Sequence, residues 1–342
     1  MNEDVVLIVE INDLYIKSIL LQKNWWQNYK VYNSYKIESL LLVNNHINFE
    51  EFQQQLQKFI YHIEYDSGEK IIDVIVIINC LYVEFFNMTK SLLVNNFVKT
   101  SHINHLLMYV KKHTNDKNIV LFEETNYLCD NISVFKPIDI YTNNLVITKK
   151  YFKVPNLIFN NINNIFKKFL IDIKRIHINI CIIIEYLLKF MDTFILINLD
   201  FYHIDVLLLE FGKIKEYYKI NLGLNNLVRY ITQKYQISFY KAYQLIKQVG
   251  LVYDKKRQDI YDININFVEN IWSNSFDIIK HDIKYKYNIP IFINGGQLLQ
   301  PIDYFLKLKT KLNINNLNTY LKCPPEFESL YIFQYLFNEK KI

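Results

Sequence analysis

At 342 residues, with 51% hydrophobic side chains, the chain is long enough for one to three domains and too apolar for general disorder. A net charge of +5 is mildly basic and only weakly favours an acidic partner; Lys and Tyr occur throughout, so no basic, aromatic-lined track for nucleic acid stands out. Cys80, Cys129, Cys181 and Cys323 fit neither zinc spacing nor a disulfide framework, MNEDVV carries no basic leader, and no run of about 18 uncharged apolar residues occurs, so a reducing, cytoplasmic setting is expected.

In chain order, Val5 to Ile11 is an apolar strand, Asn12-Asp13 a polar turn and Tyr15 to Leu21 a second strand. After Lys23-Asn24, Trp25 to Ile37 supplies a third. Asn48 opens a helix with Glu51 as its capping-box partner, and Phe49, Phe52, Leu56, Phe59, Ile60 and Ile63 form its apolar face. The strand Ile71 to Cys80 closes this unit. Residues 84–148 read as an inserted subdomain, with a helix around Ile103 to Lys112 and strands at Asn118 to Phe122 and Ile138 to Tyr141. Residues 149–190 return to helix, with Ile158, Ile162, Ile165, Phe166 and Phe169 on one face. For Ile176 to Ile184, periodicity does not decide between strand and buried helix.

The stretch FILINLDFYHIDVLLLEFGKIKEYYKINLG, residues 194–223, then gives three strands: Phe194 to Leu199, His203 to Phe211, and Ile214 to Leu222. Asp200-Phe201-Tyr202 and Gly212-Lys213 separate them. Helices follow at 224–235 and 238–248, the second capped by Ser238 and ended by Gly250. Residues 264–285 are helical. The strand Pro290 to Ile293 enters Asn294-Gly295-Gly296, and helices Leu298 to Lys309 and Glu328 to Asn338 complete the chain. A β-β-β-α order therefore occurs twice, about half a chain apart. The expected fold is α/β and actin-like, with duplicated ribonuclease H-like β-β-β-α units and an inserted α+β subdomain. Residues 1–83 and 149–193 form its first domain, 84–148 the insert and 194–342 the second domain.

Several side chains carry a bland reading beside a functional one. The His102 and His105 pair reads as helix surface, Lys111-Lys112, Lys149-Lys150 and Lys167-Lys168 as solvated faces, and Trp25-Trp26 as strand core. His203 beside Asp205 has the spacing of a general base, but alternate strand residues share a face for packing reasons alone. The closing LYIFQYLFNEKKI reads as a core helix, with a membrane-surface helix as the other reading.

On the two strand-turn-strand motifs at 5–17 and 194–209, the insert, the run Gly223 to Gly250 and the strand-turn IFINGG at 291–296, the chain resembles the bacterial cell-division family FtsA over nearly its whole length. The resemblance implies nucleotide contacts at Glu10, Asn12, Asp13, Asn198, Asp200, His203, Asp205, Gly223, Gly295 and Gly296. It also shows erosion. Asn12, Asp13 and Tyr15 stand where the family has Gly, a hydroxyl residue and Lys. Asp200, Phe201 and Tyr202 replace three phosphate-turn glycines, and Asn198 replaces an acid. Arg229, Tyr243 and Ile246 replace an acid and two adenosine contacts. ATP and Mg binding is thus expected to be weak or lost, with no catalytic residue and no metal ligand. The implied partners are an FtsZ-like division protein, further copies of the chain and the membrane surface, at the inner face of the membrane. The other readings are a PilM-like pilus factor and an actin-fold small-molecule kinase, the latter opposed by the missing glycines and acid.

Overall fold

The computed structural model describes residues 5–12, 15–23, 28–38, 42–43, 46–79, 82–114, 120–283, 289–295, 299–310, 314–317 and 327–340. The chain divides into two compact units, Met1–Cys181 and Ile182–Ile342.

The first unit opens with β1 (Val5–Asn12), β2 (Tyr15–Lys23) and β3 (Tyr29–Glu38), an antiparallel meander. The third strand starts later than the sequence suggests, and Trp25-Trp26 lie outside the described residues. A two-strand ladder, β4 (Leu42–Val43) with β5 (His46–Ile47), precedes α1 (Phe49–Ser67). Asn48 caps α1: its Oδ1 accepts from the Glu51 N–H at 3.2 Å, and Glu51 Oε2 accepts from the Asn48 Nδ2 at 3.0 Å, so Glu51 meets the cap's side chain where a capping box has its backbone N–H. Phe52, Leu56, Phe59, Ile60 and Ile63 are buried. Each such side chain contributes about 1.5–3 kcal/mol on burial, so the amphipathic pattern decides where this helix packs.

β6 (Asp73–Asn79) pairs parallel with β1. The insert follows as β7 (Glu84–Phe97), α2 (Thr100–Thr114), β8 (Val120–Cys129), β9 (Ile132–Val134) and β10 (Tyr141–Lys153), in the antiparallel order β7-β10-β8-β9. Its own core is Val98, Ile103, Leu106, Cys129, Leu145 and Ile147. Here the structure corrects the sequence reading twice. Both long strands run several residues beyond their expected ends, and residues 149–153 are strand rather than helix. The alternation of buried and less buried positions in β10 is that of a strand, and it puts Lys149 among the buried residues instead of on a solvated face.

α3 (Asn156–Lys168) buries Ile158, Ile162, Ile165 and Phe166. The ambiguous run at 176–184 is both things at once: β11 (Asp172–Ile178) ends where α4 (Asn179–Leu187) begins. β11 pairs parallel with β6, which gives the sheet order β11-β6-β1-β2-β3.

In the second unit, β12 (Phe194–Leu199), β13 (Ile204–Glu210) and β14 (Lys213–Ile220) repeat the meander. Phe211 and Gly212, with φ of 51° and 74°, make the two-residue turn whose twist suits a hairpin. α5 (Leu224–Tyr235), α6 (Phe239–Val249), a 3-10 turn at Lys255–Arg257 and α7 (Gln258–Ile283) follow. α7 begins six residues before the expected 264. β15 (Ile291–Gly295), α8 (Ile302–Thr310), β16 (Ile314–Asn316) and α9 (Glu328–Lys340) complete the unit. α8 starts later than Leu298. Leu330, Ile332, Phe333, Leu336 and Phe337 of α9 are buried, so the closing helix is core. The sheet order is β14-β13-β12-β15-β16, with β15 parallel to β12. Counting only the strands of each five-stranded sheet in chain order, both sheets read third, second, first, fourth, fifth. The duplication inferred from the order of elements holds in the strand pairing itself.

Candidate functional site

The register of the two opening hairpins aligns them residue by residue. Ile11 pairs with Ile16 and Glu10 with Lys17; Leu199 pairs with Ile204 and Asn198 with Asp205. EINDLYIK at 10–17 therefore superposes in register on NLDFYHID at 198–205. Each hairpin turns through four residues, and each turn lies at the end of a strand that also pairs parallel with a fourth strand.

In the first hairpin, the Tyr15 N–H donates to Asn12 Oδ1 at 2.6 Å, so the Asn12 side chain supports the turn from within. Glu10 is buried and pairs with Lys17, Nζ to Oε1 at 3.7 Å, with both side chains almost fully enclosed. The family pattern puts its Lys at Tyr15 and gives Lys17 no role. The signal for it was the seven-residue spacing that both hairpins share. Asp13 lies outside the described residues.

The second hairpin brings four of the expected residues together. Asn198 Nδ2 donates to Asp200 Oδ2 at 2.6 Å and to Asp205 Oδ2 at 3.2 Å. His203 Nε2 lies 3.2 Å from the same Asp205 oxygen and 3.7 Å from Asp200 Oδ2. Two further residues, which sequence reasoning did not assign, extend the cluster. Tyr217 donates its hydroxyl to Asp205 Oδ1 at 2.7 Å, and Asn294 Nδ2 donates to Asn198 Oδ1 at 2.6 Å. Burial opposes charge on His203, but the carboxylates of Asp205 and Asp200 outweigh it and hold the imidazole pKa above its ordinary value. Burial likewise pushes the Asp205 carboxyl up. His203, Lys219 and the Tyr217 hydroxyl more than offset that, and its pKa falls below the ordinary carboxylate value.

The glycines act on backbone approach. A Cβ at Gly223 would collide with the backbone of Phe201, Tyr202 and His203, and one at Gly295, where φ is +79°, with the Leu199 carbonyl. Gly296 lies outside the described residues. Arg229 is exposed on α5, whereas Tyr243 and Ile246 are core residues of α6.

This geometry does not fit a nucleotide's phosphates at the second turn. Such a site needs backbone N–H groups aimed outward at a helix start. Here the first N–H groups of α5 are already used: Asn225 donates to the Phe201 carbonyl at 2.7 Å and Leu224 to that of Asp200 at 3.3 Å. Phe201 and His203 are buried in the turn, and the carboxylates of Asp200 and Asp205 beside them would repel a polyphosphate there.

No protein-family model and no curated protein sequence matches the chain. Solved structures do. It is similar to a chain of the PilM–PilN type IV pilus biogenesis complex, with a TM-score of 0.65 at 10% identity over 96% of this chain and 97% of that one. It is also similar to the ethanolamine utilization protein EutJ from Carboxydothermus hydrogenoformans, with a TM-score of 0.56 at 10% identity over 98% and 90% of the two chains. A third likeness is to MreB 5 of Spiroplasma citri bound to AMPPNP, with a TM-score of 0.54 at 12% identity over 100% and 99%. At such identities the likeness establishes the fold, and the fold is that of the actin-like ATPases.

Proposed function

We propose that this chain is an actin-like scaffold of the FtsA class that works without turning over ATP, holding an FtsZ-like division protein at the cytoplasmic face of the membrane and associating with further copies of itself. The observation that carries the non-hydrolysing part is the closed second turn, where α5's first N–H groups bond the turn's own carbonyls. Phosphoryl transfer depends almost wholly on positioning and electrostatics around the phosphates, and this turn offers neither. The FtsA reading is supported by the two hairpins, the insert between β6 and α3, and the glycine-bounded pair α5 and α6. Phosphate release with Mg-ATP is expected to stay at background, with or without the partner, and a fluorescent ATP analogue to show no saturable binding. Turnover that disappears in Asp205→Ala would overturn the reading.

The FtsA resemblance puts the partner's short acidic and apolar tail against the last 80 or so positions, where charge is nearly balanced, with nine Lys or Arg and seven acids in residues 263–342. Residues 224–257 hold seven Lys or Arg against one Asp. Tyr230, Phe239, Tyr240 and Tyr253 are exposed among them. That mixture of positive charge and open rings suits such a tail. A tail peptide is expected to bind the full chain at low salt and to weaken as salt rises; no retention at low salt would count against it. The likeness to a chain of the PilM–PilN complex supports a second reading, a pilus-assembly factor with a PilN-type partner. Retention of a PilN-type peptide in place of the FtsZ-type tail would favour that one.

A further inference from the structure

The side chains that close the second turn have donor atoms that converge on one point. The geometry points to a site for one first-row divalent transition metal, of the Zn²⁺ or Mn²⁺ type, held by Asp200, His203 and Asp205 with Asn198 as a neutral fourth donor. One donor atom each of Asp200, His203 and Asp205 lies within 4.8 Å of the other two. The imidazole nitrogen is 3.2 Å from one carboxylate oxygen and 3.7 Å from the other, and the Asn198 amide terminus is 2.6 Å and 3.2 Å from the same two oxygens. Donors each about 2.1 Å from one ion sit roughly 3.0–3.5 Å apart, so these edges need only small adjustments to become a coordination polyhedron.

Asn198 also has the chemistry to join. Turning its amide and that of Asn294 by half a turn exchanges oxygen for nitrogen with almost no change in shape. Their mutual hydrogen bond survives, since Asn198 Nδ2 then donates to Asn294 Oδ1. Asn198 Oδ1 then faces the two carboxylates as a ligand, where an N–H would repel a cation. His203 gives up its Nε2 proton to solvent when the metal takes that lone pair. Tyr217, bonded to Asp205 Oδ1, leaves Oδ2 on the side of Asn198 and His203 and orients the carboxylate, as an outer-shell partner does. His203 Nδ1 is buried and has no protein partner among the described residues, so its N–H would need an ordered water.

The donor set selects the ion class. One imidazole with oxygen donors suits zinc and manganese, while magnesium and calcium prefer oxygen alone and the site has no thiolate for copper(I). The nearby Lys219 lowers the affinity without cancelling two carboxylates. The proposal rests on the hairpin geometry and is independent of which partner the chain binds.

The test uses the full chain, stripped with chelator, incubated with Zn²⁺ or Mn²⁺ and passed through gel filtration before metal analysis. One ion per chain is expected, with a raised Tm and no displacement by millimolar Mg²⁺. His203→Gln and Asp200→Asn are each expected to weaken retention at least tenfold. Asp200 sits at the partly exposed rim, so its variant is the safer one for folding, checked by circular dichroism. X-ray absorption on the loaded wild-type chain is expected to show one imidazole among oxygen donors. No retained ion, a spectrum without imidazole, or equal retention in a folded Asp200→Asn chain, which would point to surface histidines such as His102 and His105, would each overturn the assignment.

Discussion

At the scale of single residues, the site is governed by what stands where a side chain is absent. Gly295 has a left-handed φ of +79° and faces the Leu199 carbonyl without room for a Cβ. Both features bear on the same substitution. Gly295→Ala is expected to lose about 1–3 kcal/mol from backbone strain, with the collision adding to it. Urea unfolding would read this as a lower midpoint at unchanged slope. Gly68, by contrast, also has a positive φ, but nothing lies within 4 Å of its would-be Cβ. Gly68→Ala carries strain alone, so its loss is expected to be the smaller of the two.

At the scale of elements, the insert's hairpin ends are held by side chain to backbone bonds. Asp130 and Asn131 turn β8 into β9 with φ of 45° and 69°. The Asp130 carboxylate accepts from the Asn143 N–H at 3.2 and 3.0 Å and from the Asn144 N–H at 2.9 Å. These bonds favour the charged form, so its pKa lies below the ordinary carboxylate value. A depressed carboxylate contributes fully above its unfolded pKa, about 3.9. That contribution is lost as pH falls through the lower folded value. The amide resonances of Asn143 and Asn144 are therefore expected to titrate together below about pH 4. In Asp130→Ala that joint titration should vanish, and independent titration of the two amides in the wild type would contradict the shared cap.

At the scale of the whole molecule, two compact units each carry a five-stranded sheet of the same order. Each buries its own apolar strands: Leu7, Ile8, Val9 and Ile11 in one, Ile195, Leu196, Ile197 and Leu199 in the other. Cores that are separately complete lose their structure in separate cooperative steps. Calorimetric unfolding is thus expected to give an enthalpy larger than the van't Hoff value. A ratio of one would mean that the chain unfolds as a single unit. Among the described residues no helix is long and apolar enough to cross a membrane.

The repeated order of elements is legible in the sequence alone. Strand periodicity at 5–21 and 194–220, the Asn48 cap and the apolar faces of α1, α3 and α5 are local signals, set by side-chain spacing along one segment. The sequence also marked Asn198, Asp200, His203 and Asp205 as one neighbourhood, because a hairpin brings close what is near in sequence. Tertiary structure alone decided the rest. Asn294 reaches Asn198 across 96 residues through a parallel pairing, and no local pattern encodes that register. Tyr217 enters from β14, where its strand looks like its neighbours in composition. Lys149 is buried because the strand through it continues past its expected end, which pairing with β7 and β8 decides. The closing of the turn against α5 is likewise tertiary: the missing glycines imply crowding, but only the fold shows that the carbonyls of Asp200 and Phe201 accept from the helix's first N–H groups.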